Sequence, residues 1–214
     1  MKSQITIKKI QDLLLEGLNT TKCVDDETSR RMWWASLEIV QKEFLSHSSQ
    51  QGGFWVASPL PALTDKKCLT KLKGWLWSPE GFPYFQKDSV SFLPVNNTSK
   101  IKQDIDFIRN YKVLNLSPKD GYEPFLIIIS SNFQCLLTIA GEKDKKTLLM
   151  RCDEKSLKTA IELIDAKLHQ ENFEEALNFR NAIKNLGDLK INNQFENNFW
   201  PCLATKLANL IPKL

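Results

Sequence analysis

Lys66, Lys67, Lys71, Lys73, Trp75 and Trp77 put charge and aromatic rings into one short stretch. Such a segment can grip single-stranded nucleic acid, with ammonium groups on phosphates and bases stacked on indoles. The alternative is a helix whose Leu69, Leu72, Trp75 and Leu76 face a core while the lysines face water. The five cysteines (Cys23, Cys68, Cys135, Cys152 and Cys202) form no C-x-x-C pair and are irregularly spaced. That argues against a zinc site and a disulfide framework. Cys135, near Phe133 and Leu136, suits either a chromophore tether or a buried structural thiol. The two histidines are His47 and His169, and His169 follows Asp165 by four residues, the spacing of a surface helix pair. The acid pairs Asp104/Asp106 and Glu174/Glu175 read as solvated helix faces, whereas general acid–base work needs shielded carboxylates. No phosphate-binding loop, dinucleotide fingerprint or nucleophile elbow occurs. The expectation is a non-enzyme with no catalytic residue, no metal and no cofactor.

The 214 residues are 42% hydrophobic and 25% charged, with a net charge of +4. This balance excludes a disordered tail and a collagen-like chain. The mild positive charge is spread along the chain, without the single basic stripe that usually marks a nucleic-acid binder, and reads as solubility. The longest uninterrupted apolar run, Phe125 to Ile129, is far short of the ~18 residues of a membrane-spanning helix. Lys8, Lys9, Asp12 and Glu16 interrupt the N-terminal apolar pattern, so no signal peptide is expected and a cytoplasmic location is.

Periodicity predicts a helix over 5–18, with Ile7, Ile10, Leu14 and Leu18 on one face, and a second over 29–45. Asp25-Asp26-Glu27 suits the start of the second. Phe54 to Ala57 reads as a short strand, and Thr64 to Trp77 as a helix. Residues 125–129, 133–139 and 147–151 read as three strands of an antiparallel meander. Past Asp153 the pattern turns helical. Leu157, Ile161, Ile164 and Leu168 form one stripe; Phe173, Ala176, Phe179, Ile183 and Leu186 form a second after a turn at 169–172. Gly187 closes the hairpin and a last helix, interrupted at Pro201, runs over 194–211. The fold class is α+β: a mixed or antiparallel sheet with flanking helices, then a C-terminal antiparallel helical hairpin. The expected division is an α+β domain over 1–152 and the hairpin with its tail over 153–214.

Residues 155–187 carry the run Phe173-Glu174-Glu175-Ala176-Leu177-Asn178-Phe179-Arg180-Asn181-Ala182-Ile183. It resembles the UVR motif, the helical hairpin of the nucleotide-excision-repair subunits UvrB and UvrC and of Clp-type chaperone subunits. Asn181 departs from that motif, which usually has Asp there. The resemblance implies docking on a protein partner or on a second copy, with Phe173, Glu174, Glu175, Phe179, Arg180 and Ile183 as the binding residues. Within that set Phe173, Phe179 and Ile183 would hold the hairpin together, and Glu174, Glu175 and Arg180 would face the partner. A hairpin packed only on its own domain remains the alternative. Residues 123–155 resemble the C-terminal part of DICT-type sensory domains of bacterial signalling proteins. Together these imply a cytoplasmic regulatory or sensory adaptor working through protein–protein contact. The alternative is a nucleic-acid-associated protein using segment 66–77.

Overall fold

Six strands assemble one mixed sheet, and helices cover both of its faces. The computed structural model describes residues 5–16, 23–46, 52–59, 63, 65, 70–79, 111–131, 133–187 and 193–210. In chain order the strands are β1 (Gly53–Ser58), β2 (Lys73–Ser78), β3 (Tyr111–Asn115), β4 (Phe125–Ser130), β5 (Gln134–Glu142) and β6 (Lys145–Arg151). Their order across the sheet is β3-β2-β1-β4-β5-β6. β1 pairs parallel with β2 and β2 with β3, while β4 pairs antiparallel with β1 and with β5, and β5 with β6. The helices are α1 (Ile7–Leu15), α2 (Asp26–Ile39, continued by a π-helical turn to Leu45), α3 (Glu154–Glu171), α4 (Phe173–Leu186) and α5 (Asn193–Leu210).

With both faces covered, a central strand need not alternate. Every residue of β4 is buried, as are Gln134 to Ala140 of β5. Phe54, Val56, Ile127, Ile129 and Leu136 point to the face covered by α1, α3 and α4. Trp55, Ala57, Leu126, Ile128, Cys135 and Leu137 point to the face covered by α2 and α5. The fold is α+β, with the expected meander as β4–β6 and the helical hairpin as α3–α4. The expected division at 152 falls between β6 and α3, and side chains from both sides of it join one core cluster.

Local chemistry fixes the helix starts. Thr6 accepts from the Lys9 amide, Asp25 from Thr28 and Asp153 from Ser156. The hydrogen bond from the Thr28 backbone holds the Asp25 carboxyl below its ordinary range. This cap starts α2 at Asp26, three residues ahead of the expected Ser29. Ile7, Ile10 and Leu14 of α1 are buried as expected, and Leu18 lies outside the described residues. Pro201 sits inside α5 without ending it. The proline faces outward while Phe195, Phe199 and Leu203 anchor the helix in the core on both sides of it.

The helix expected over 64–77 is corrected. Thr64 and 66–69 lie outside the described residues; 70–72 are turn and bend, and Lys73–Ser78 is β2. Gly74 lets the Trp55 ring lie directly on the backbone of β2, because any Cβ there would overlap its indole atoms.

Candidate functional site

The site is built on the hairpin. Asn172, in extended conformation, is both the last cap of α3 and the first cap of α4, where its side chain accepts from the Glu175 amide at 3.2 Å. The expected four-residue turn thus shrinks to one residue, because α3 stays helical through Glu171. The inner side of α4 lies on the sheet. Ala176 and Ala182 are small enough for close approach, and Phe179 is fully buried, its ring centroid 5.1 Å from those of Phe54 and Trp75. Ile183 packs against the same cluster. Phe179 and Ile183, expected both among the binding residues and as the side chains that hold the hairpin together, turn inward: Phe179 is part of the protein's own core and Ile183 packs on it.

Two glutamates flank the hairpin tip and reach the two tryptophans of β2. Trp77 Nε1 donates to Glu171 Oε2 at 2.7 Å, and Trp75 Nε1 donates to Glu175 Oε2 at 2.9 Å. The spacing explains the match: i and i+2 share one face of a strand, and the glutamates at i and i+4 straddle the one-residue connection. Lys167, 1% exposed, donates to Asp120 Oδ1 and to Glu171 Oε1, both at 2.7 Å, and its ammonium lies 5.5 Å from the centroid of the Trp77 ring. Asp120 also accepts from the Ile7 amide at 2.9 Å and from the Ser117 amide at 3.0 Å. One ammonium therefore faces two carboxylates, and backbone and indole N–H groups balance the second. Such pairing lets charge persist in a core. The cluster ties α1, the 118–120 turn, β2 and the hairpin together. Sequence reasoning missed Asp120, Lys167 and Glu171. The available signal was Lys167 beside the apolar stripe Leu157, Ile161, Ile164 and Leu168, since a lysine that folding buries has to be paired.

The outer side of α4 differs. Phe173 is 57% exposed and Leu177 43%, one turn apart, with Glu174 also exposed. The His169 ring stands edge-on to Phe173 at 5.3 Å. Phe173, expected to hold the hairpin together, faces outward instead. Glu175 and Arg180, expected to face a partner, serve the fold. Glu175 binds Trp75, and Arg180 forms a two-point pair with Asp165 at 2.7 and 2.9 Å that ties α4 to α3. Asp165, the expected partner of His169, is thus engaged by Arg180.

A family model described as Domain of unknown function (DUF8628) matches residues 8–212. The chain belongs to that family. No curated protein and no solved structure matches it. The DUF8628 match spans nearly all of α1 and every later element through α5, so the charged cluster and both sides of the hairpin lie inside it.

In this DUF8628 domain the lysine–tryptophan segment is split by the fold. Lys71 and Lys73 are exposed, Lys66 and Lys67 lie outside the described residues, and Trp75 and Trp77 are 2% and 0% exposed. The two indoles are stacked into the core and offer no ring to a base. Cys23 is exposed; Cys135 and Cys152 are buried. Burial pushes the Cys135 thiol well up and the Cys152 thiol up to about 12, Glu196 and Asp153 adding to the latter. Neither is a thiolate near neutral pH, so neither is nucleophilic. Iodoacetamide at about pH 8 is therefore expected to alkylate Cys23 in the native protein and Cys135 and Cys152 only after denaturation. An adduct on native Cys135 by mass spectrometry would contradict this packing. No helix among the described residues is long and apolar enough to cross a membrane.

Proposed function

We propose that this chain is a non-enzymatic, cytoplasmic regulatory adaptor that binds a protein partner through the outer face of α4. The observation that carries the proposal is the exposed pair Phe173 and Leu177, set on a helix whose opposite face is committed to the core. Large apolar side chains on a rigid element are what partner-binding surfaces use as anchors. Asn172, Glu171, Glu175 and the Arg180–Asp165 pair fix that element in place, so little ordering entropy is lost when a partner docks. The likeness of the hairpin to the UVR motif supports a docking role, and that of 123–155 to sensory domains supports bacterial signal transduction as its setting. The partner is another protein or a second copy of the chain.

The test is the tagged full-length protein carrying Phe173→Asp together with Leu177→Asp. Both side chains are solvent-facing, so the pair of changes is expected to cost no more than about 1 kcal/mol of stability. Partner recovery, or the dimer seen by light scattering if the partner is a second copy, is expected to fall about tenfold or more. Unchanged recovery with an intact fold would overturn the proposal.

A further inference from the structure

The geometry points to a binding site for a phosphorylated small molecule at the end of α4 opposite the hairpin tip. A cavity of about 440 Å³ opens there between the entry to β1, the approach to β2 and the last turn of α4. That volume lies in the range of small-molecule sites. Its wall is chemically mixed. Lys71, Lys73 and Thr70 bring charge and a hydroxyl to it, Leu72, Ala182 and Leu186 bring apolar surface, and Asn185 stands at the last turn of α4. Among the described residues of the wall both charged groups are cationic. Lys73 opens β2 on the same strand face as Trp75, which aims its ammonium toward the end of α4, not toward the other face of the sheet. Gly52, with φ +123°, has open space where a Cβ would sit, so bare backbone borders the cavity.

The ligand class follows from the wall. The Lys73 ammonium, with Lys71 on the same wall, favours an anion. The final carbonyls of α4 have no partner within the helix and carry the negative end of its dipole, so they select hydrogen-bond donors and discourage a bare anion. The apolar side accommodates a carbon skeleton. An organic phosphate with hydroxyl or amino groups, such as a sugar phosphate or nucleoside monophosphate, satisfies all three; inorganic phosphate satisfies the first alone. The site deepens the adaptor proposal, on which its regulatory meaning rests, because the cavity wall and the exposed Phe173 lie at opposite ends of one rigid helix.

Binding is measured on the purified full chain without any partner, so its outcome is independent of partner capture. Titration calorimetry uses adenosine monophosphate, glucose 6-phosphate and glycerol 3-phosphate, with adenosine, glucose, glycerol and inorganic phosphate as controls. At least one organic phosphate is expected to bind about tenfold or more tightly than its dephosphorylated counterpart and than inorganic phosphate. Lys73→Ala and Asn185→Ala are expected to weaken it by a similar factor, while Lys184→Ala, outside the wall, leaves it unchanged. No binding by any of the three organic phosphates overturns the site. So does binding that Lys73→Ala and Asn185→Ala leave intact, or affinity for inorganic phosphate equal to that for the organic esters. Both wall variants lie on solvent-exposed positions, and a thermal melt of each confirms that lost binding is not lost folding.

Discussion

Replacing Lys167 by methionine is expected to destabilise the protein by about 3–5 kcal/mol, the cost of leaving a buried charge without its partner. Methionine fills much the same volume, so the loss is electrostatic and not a cavity effect. Asp120, itself fully buried, would keep its two backbone donors but lose the ammonium, and Glu171 would keep only the Trp77 indole. Against a total stability of about 5–15 kcal/mol, a change of this size is visible as a large drop in the urea midpoint. The double variant Lys167→Met with Asp120→Asn is expected to be less destabilised than the sum of the two single changes, because the second removes the charge that the first stranded. A loss below about 1 kcal/mol for Lys167→Met would mean that the ammonium is not held as described.

The second large effect separates two phenylalanines six residues apart. Phe179→Ala is expected to cost about 3–5 kcal/mol, since it empties a fully buried ring site between Phe54 and Trp75. Phe173→Ala is expected to cost about 0.5 kcal/mol or less, because that ring is mostly in solvent and meets only the edge of His169 among described aromatic rings. Chemical denaturation of both variants decides which face of α4 is inside. Similar losses at the two positions would contradict the orientation of the hairpin.

That orientation shows what sequence alone conveys. Phe173, Ala176, Phe179 and Ile183 look like one stripe when spacings of three and four are counted. At about 100° per residue, however, Phe173 lies roughly 120° around the helix from Phe179 and shares its side with Leu177. A stripe of five apolar residues drew Phe173 into the wrong face, while Glu175 and Arg180, placed outside by the same reading, are engaged within the fold. The meander was legible because β4 is apolar up to Ser130 and β5 carries Cys135, Leu136, Leu137, Ile139 and Ala140 in one run broken only by Thr138, and the hairpin because its helices are strongly patterned and closed by Gly187. β2 was misread for a physical reason: Trp75, Leu76 and Trp77 are buried on alternate faces of a doubly covered sheet, so neither strand alternation nor helical periodicity is cleanly satisfied. β3 escaped notice because it is short and at the sheet edge, with Lys112, Val113 and Asn115 exposed. Lys167 beside an apolar stripe hinted at a buried charge, but its partner could not be read, because Asp120 and Lys167 are 47 residues apart in the chain and meet only when the turn after β3 lies against α3.

The central claim is that α4 turns one face into its own core and offers the other to a partner protein. It is tested most directly by placing a photo-crosslinking amino acid at position 177 in the full-length protein in its native cells, with the same group at Lys143, an exposed residue of the β5–β6 turn, as control. The account predicts a discrete heavier adduct from position 177 on irradiation, lost when Phe173→Asp is added, and no such adduct from position 143. Absence of any adduct at 177, or the same adducts from both positions, would contradict it.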